Sequence, residues 1–415
     1  MRTRIRETVA RRAAIGAAIA MVGLGFAPVE AALGASPIAV PCSTAALAAV
    51  ISSAPDGSLL ALAPFCTYSV ITPLPDITGS LSMFGSSTTI RLSSLATVPA
   101  SSLLTVDASG NLSLTNVNVS GGNAVSGGAI SNLGRLAISG GIFSRDQAGD
   151  TGGAINNGGT LAVTGANFTE DRTGLYGGAI GNGATATIRN CSFISNSAHQ
   201  GGAIANIPIK KGPILPGIRA SSEPNAQPPS PVLTVAGSSF TRNIAEMGGA
   251  DFGLSQQAFT NDSFTDNGNT TTDGAGAIFN DDAPLILTRS TLSGNQAGQG
   301  GAILDNSGGT LTSDNLTNNV ADATVNGGGG GIYYEGQILI SDSKISGNYA
   351  AEDGGGVFAR GPGTISGTQI FKNQARVLGG GIYNHNSTVM LSHSPVYTNT
   401  PDNCAPAGSI PGCAG

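Results

Sequence analysis

Apolar residues fall in short alternating pairs along most of this chain: Leu136 with Ile138, Leu161 with Val163, Leu233 with Val235, Leu285 with Leu287, Ile338 with Ile340, Val389 with Leu391. Alternation over so few residues predicts strands that bury one face, because a helix needs about ten or more residues at a 3.6 period. Each pair is preceded by a Gly-Gly-Ala-Ile block or a near variant, ending at Ile130, Ile155, Ile180, Ile204, Asp251, Ile278, Ile303, Ile332, Val357 and Ile382. The spacings are 25, 25, 24, 47, 27, 25, 29, 25 and 25 residues, and the exception contains the stretch 207–231, with seven prolines and no periodicity. Each pair is followed by an apolar residue three before a polar one. Early copies are Phe143 with Asp146, Phe168 with Asp171, Phe193 with Asn196, Phe240 with Asn243 and Phe264 with Asn267. Later copies run from Leu292 with Asn295 to Val396 with Asn399.

One such unit cannot bury its apolar face alone, so units must stack. Stacking like strand on like strand predicts an all-β fold: a single-stranded right-handed parallel β-helix (a solenoid) of about 12 turns, at ~4.8 Å per turn a rod of roughly 60 Å. Two residues beyond the Ile stand Asn132, Asn157, Asn182, Asn206, Asn280, Asp305 and Asn384, with Gly253, Tyr334 and Ala359 as departures. Stacked Asn side chains can bond to one another and to turn backbone, so these positions, and the Asn of the Phe-x-x-Asn block, read as structural ladders.

Four domain-level segments follow, one of them carrying an insertion. Arg2, Arg4, Arg6, Arg11 and Arg12 precede an apolar run from Ala13 to Ala27 and a small-residue site at Val29-Glu30-Ala31. Residues 1–31 therefore read as a signal peptide, too short in its apolar core for a membrane span. Residues 32–67 form an N-terminal cap in which Thr44 to Ile51 read as a short helix; 68–400 are the β-helix, with 207–231 a loop inserted in it; 401–415 are a closing tail. Cys42 and Cys66 bracket the cap and Cys404 and Cys413 bracket the tail, which predicts two local disulfides in an oxidising compartment. Cys191 is left over, read as a small buried hydrophobe.

Composition agrees with a narrow core: 62 glycines, 11% charged residues, no tryptophan. Removing residues 1–31 takes five of 19 basic and two of 25 acidic residues, leaving a net charge of −9. That balance argues against nucleic acid or anionic lipid as a partner, since both need clustered positive charge. A monomer is expected, with no transmembrane helix in the exported chain.

The alternation of Gly201-Gly202-Ala203-Ile204 with Phe193-Ile194-Ser195-Asn196 resembles the repeats of the chlamydial polymorphic outer membrane proteins, over about residues 119–399. Cys42-Ser43 followed by a helical run is similar to the N-terminal element of secreted bacterial β-helix proteins. The resemblance implies a passenger-type β-helix displayed at the cell surface, outer membrane or envelope, used in adhesion. Family members end in an outer-membrane β-barrel; this sequence closes on Pro411-Gly412-Cys413-Ala414-Gly415 without such strands, so free secretion is expected beside surface display.

Chemistry is sparse. The expected function is a non-catalytic binding surface for cell-surface glycans, matrix proteins or envelope proteins, without cofactor or metal. The alternative is a polysaccharide-degrading lyase or glycoside hydrolase, because other β-helices carry such sites and acid/base hydrolysis needs facing carboxylates. Asp281 and Asp282, with Asp305 one turn on, are the candidates, although Asp305 holds a ladder position. Gly149-Asp150-Thr151-Gly152-Gly153 and Gly327 to Gly331 keep the repeat phase, and His199, His385 and His393 are scattered. Tyr333 and Tyr334, with Phe358 and Tyr383 in later turns, make a sugar-binding strip only if they face outward.

Overall fold

The structure, a computed structural model, describes residues 36–95, 101–208, 230–269, 271, 273–324 and 328–413. The expected signal peptide and nearly all of the expected inserted loop lie outside the described residues. The rest is a parallel β-solenoid of about 13 turns with one short helix.

One turn shows how the sequence unit becomes a coil. Ile180–Asn182 leads through a turn to Thr185–Arg189, a corner at Asn190 leads to Ser192–Ile194, and a second corner at Ser195 returns the chain to Ile204–Asn206. Equivalent strands pair in parallel and in register: Ile155, Ile180 and Ile204 stand over one another, as do Phe168, Phe193 and Phe240. The first strand of each turn builds a 12-stranded sheet and the other two a broad 25-stranded sheet, with short strands in two smaller sheets completing the wall. Thr185–Arg189 pairs directly with Val232–Ala236, so the solenoid passes residues 207–231 without losing a rung.

The core is a set of like-on-like columns. Phe143, Phe168, Phe193, Phe240 and Phe264 are fully buried and stack with ring centroids 4.7–5.0 Å apart. Phe259, from the neighbouring column, meets Phe240 and Phe264 edge-on at 6.3 and 5.4 Å. Offset and edge-on rings at these distances add to the burial of their area. From Leu292 onward the column continues as Leu316, Ile345, Ile370 and Val396.

The paired glycines answer two constraints at one corner. Gly177 has φ +69, a left-handed conformation that side chains rarely adopt, and a Cβ on Gly178 would lie 2.1 Å from the carbonyl oxygen of Gly202. The first position needs the torsion and the second the close approach of successive turns.

Both ends are continuous with the coil. Ile38–Val40 pairs with Ser58–Leu62, which pairs with Ser80–Leu92, so the broad sheet already begins inside the expected cap. Helix Thr44–Ser53, capped by the Ser43 hydroxyl, sets Leu47 into the core over the first turns, and the Cys42–Cys66 disulfide ties the segment down. At the other end Cys404–Ala405 adds a last strand to the 12-stranded sheet, and the Cys404–Cys413 disulfide holds Ile410 against the final turn.

Truncating Phe240→Ala removes a ring packed against three others. We expect a loss of about 3–5 kcal/mol in urea unfolding, against under about 0.5 kcal/mol for the outward Thr241→Ala. Equal losses would contradict the stacked-column core.

Candidate functional site

The expected Asn ladder is a hydrogen-bonded rail. Asn132 donates Nδ2 to Oδ1 of Asn157 at 2.7 Å, Asn157 to Asn182 at 2.7 Å, and Asn182 to Asn206 at 2.8 Å, all fully buried. At Gly253 the rail is bridged from elsewhere: Gln257 turns inward, fills the space a Cβ at Gly253 would need, and donates Nε2 to Asn280 Oδ1 at 3.2 Å. Asn280 then donates to Asp305 Oδ1 at 2.8 Å. Tyr334 and Ala359 interrupt the rail, and Asn384 resumes it by bonding to the Ser387 and Ser409 carbonyls.

This placement decides the chemistry open to the carboxylates. Asp305 is fully buried, its Oδ1 also accepts the Ser307 and Gly308 N–H groups, and burial pushes its carboxyl above the usual range. Asp281 is half-buried and Asp282 exposed at the turn outside, with Asp281 acting on Asp305 as a like charge. The Asp282 N–H donates to Asp281 Oδ1 at 3.0 Å. The three therefore divide between interior and exterior: Asp305 is a rung of the rail, and Asp281 and Asp282 stand at the turn outside it. Among the described residues no group of three His, Cys, Asp or Glu is placed to hold a metal ion.

The Phe-x-x-Asn positions form a second rail. Asn196, Asn243, Asn267, Asn295, Asn319, Asn348, Asn373 and Asn399 are linked Nδ2 to Oδ1 at 2.9–3.0 Å. Each Oδ1 also accepts the backbone N–H of the ladder residue one turn before, as Asn243 does from Asn196 at 3.0 Å. Asn403 of the tail supplies the final acceptor.

A third rail went unread in the sequence. From Phe193 onward, two residues before each Phe or its equivalent stand Cys191, Ser238, Asp262, Ser290, Asp314, Ser343, Thr368 and Ser394. From Ser238 onward each side-chain oxygen accepts the backbone N–H of the preceding rung at 2.6–3.2 Å. The available signal was position alone, because any small side chain bearing an acceptor serves. Cys191 occupies a rung of this rail, where its thiol donates to the Arg189 carbonyl and burial pushes its pKa up to about 11. A thiol so placed is a weak nucleophile.

The aromatic residues split between the two faces. Tyr334 is inside the core, whereas Tyr333, Phe358 and Tyr383 stack on the outer face of the 12-stranded sheet at 5.0 and 5.1 Å. They extend a column through Phe252, Phe279 and Leu304 that the sequence reading missed. Tyr333 and Phe358 are only 2% and 4% exposed, and Arg360 and Glu335 bond to the Tyr333 hydroxyl at 2.8 and 3.0 Å. With ring faces covered, this column is packing, and only Tyr383 and His385 reach solvent.

What solvent meets in repeated form is the outer face of the broad sheet. One column reads Thr241, Thr265, Ser293 and Thr317, then the buried Ser346, before ending on the stacked pair Phe371 and Tyr397, 5.2 Å apart. A second reads Thr260, Thr288, Thr312, Ser341, Ser366 and Ser392. These are uncharged groups that both donate and accept, repeated at about the strand spacing of 4.8 Å along one axis. A hollow of about 190 Å³ beside Ile51, Asp56, Asp76 and Ser80 is small and lies against the N-terminal helix. No helix among the described residues is long and apolar enough to cross a membrane.

Asn295→Ala should cost at least about 2 kcal/mol, because the N–H and Nδ2 of Asn267 lose their acceptor in a buried corner, while Asp281→Ala and Asp282→Ala should each change stability by under about 0.5 kcal/mol. Urea unfolding checks both. Compared with protein-family models, with curated proteins and with solved structures, the chain matches none of them.

Proposed function

We propose that this chain is an exported, right-handed β-solenoid that works without catalysis, binding glycan or other envelope and matrix polymers along its broad sheet. The observation that carries the reading is the pair of Ser/Thr columns, which offer a long neutral polymer a matching series of hydrogen bonds instead of one deep pocket. Small-molecule and catalytic sites are ordinarily concave with convergent polar groups, and the candidate carboxylates divide between core and surface. Export is supported by the basic and apolar leader, and by disulfides at both ends, which belong to oxidising compartments. Adhesion or envelope attachment is supported by the resemblance of the Gly-Gly-Ala-Ile and Phe-x-x-Asn blocks to surface passenger repeats. Right-handed coiling is supported by the general preference of parallel crossovers.

The test incubates the chain from residue 32 with immobilised plant, microbial and host polysaccharides, following retention and bond cleavage together. We expect retention on at least one glycan without cleavage, weakened about tenfold by Thr265→Arg with Thr317→Arg, two half-exposed outward positions. Cleavage abolished by Asp281→Ala or Asp282→Ala would make the protein an enzyme instead. Retention indifferent to the arginines, or no retention at all, would overturn the assignment to this face.

A further inference from the structure

The Phe-x-x-Asn rail begins with two residues of the wrong chemistry. From Asn196 onward each rung uses both halves of its amide. Oδ1 accepts from the rung before, while Nδ2 donates to the next Oδ1 and to a carbonyl one turn back, as Asn196 donates to Phe168 and Asn243 to Phe193 at 3.1 and 3.0 Å. The first two rungs are Asp146 and Asp171, both fully buried. Their Oδ1 atoms keep to the pattern, accepting the N–H of Gly122 at 2.7 Å and of Asp146 at 2.9 Å. The Asp171 N–H in turn donates to Asn196 Oδ1 at 2.9 Å. The second oxygen of each carboxyl takes the place of the donor nitrogen, is buried, and has no hydrogen-bond partner.

An ionised oxygen in that place would stand where every other rung donates to acceptors; a hydroxyl would complete the pattern. We propose that Asp146 and Asp171 are held in the rail as neutral carboxylic acids, each donating from Oδ2 as an asparagine amide would, so that the solenoid is stabilised by acid and loosened as the pH rises.

The charged surroundings oppose ionisation. The two carboxyls occupy successive turns and act on each other as like charges, and Glu170 adds a third. Arg145, the nearest cation in sequence, is turned to the surface, where it pairs with Glu170 at 3.3 Å, and Arg172 is exposed. The groups bonded to the pair, the Gly122 N–H at one end and the Asn196 amide oxygen of the next turn at the other, carry no charge, and Phe143 and Phe168, three residues before each aspartate, are apolar. Burial pushes Asp146 up to about 8 and, with its acidic neighbours, holds Asp171 well above the usual carboxylate range. In the unfolded chain both would titrate near 3.9. Between about pH 4 and pH 8 the folded chain therefore keeps protons that the unfolded chain has released, so the stabilisation is complete below pH 4 and fades as the pH climbs towards the folded values. Most proteins respond in the opposite sense, because their carboxylates are paired as ions.

The test compares thermal unfolding of the full chain with D146N/D171N from pH 4 to pH 9. We expect the variant, which restores the asparagine pattern, to match the wild type near pH 4 and to exceed it by at least about 5 °C in Tm at pH 9. Parallel curves, or a variant less stable at pH 9, would overturn the proposal. Infrared difference spectra at pH 6, wild type minus variant, give a second readout that does not depend on stability: they should show a positive carbonyl stretch of protonated carboxyl, over the contribution that Asp251, Asp262, Asp305 and Asp314 make to both proteins. A carboxylate band in its place would also overturn the proposal.

Discussion

At the two corners that flank the Phe strand, backbone N–H groups such as those of Ser238 and Asn243 turn inward, away from the hydrogen-bond ladder of the strands and out of reach of water. A coil of about 25 residues has no second layer to supply the missing acceptors, and an orphaned buried N–H costs as much as a lost hydrogen bond. The solution is to let the corner residue of the next turn supply its own side-chain oxygen. Asn267 Oδ1 takes the N–H of Asn243, and Asn295 Oδ1 takes that of Asn267. The dependence is mutual between neighbours, so a turn is complete only when the following one is in register. Strand pairing, aromatic stacking and glycine at the close approaches all assume that register.

This dependence explains why so much of the fold was legible. A position that must match its neighbour one turn away is written repeatedly, and Ile180, Phe193 and Asn196 recur with their counterparts at nearly constant spacing. What was not legible is what repeats in space but not in residue type. The rail through Ser238, Asp262, Ser290 and Asp314 tolerates serine, threonine and aspartate alike, because an acceptor oxygen on a short stem is all it needs. Gln257 repairing the gap at Gly253 is a contact between two departures, and neither suggests the other. Alternation places Tyr333 and Tyr334 on opposite faces but does not say which is inside; the core takes Tyr334 and leaves Tyr333 under Arg360 and Glu335.

The candidate site follows the same division. Asp305 looked both like a rung and like a partner for Asp281 and Asp282, and the rung prevailed because its oxygen is engaged by Asn280 and two backbone N–H groups. The outward Ser and Thr columns were hidden for a different reason. No outward position has to be a particular residue for the coil to close, so the sequence marks them weakly, and only the register of the strands shows that they line up. Interior positions thus report the architecture, while the surface that would meet a polymer has to be assembled from the pairing of successive turns.

The most direct measurement is amide hydrogen exchange at Asn243, Asn267, Asn295, Asn319 and Asn348, whose N–H groups bond only to the side chain of the next turn. If side-chain rails hold the coil together, these amides exchange as slowly as those of the paired strands on either side, through the same global opening. Exchange at the rate of exposed loops, with the strands still protected, would mean that strand pairing and core packing alone hold the turns in place.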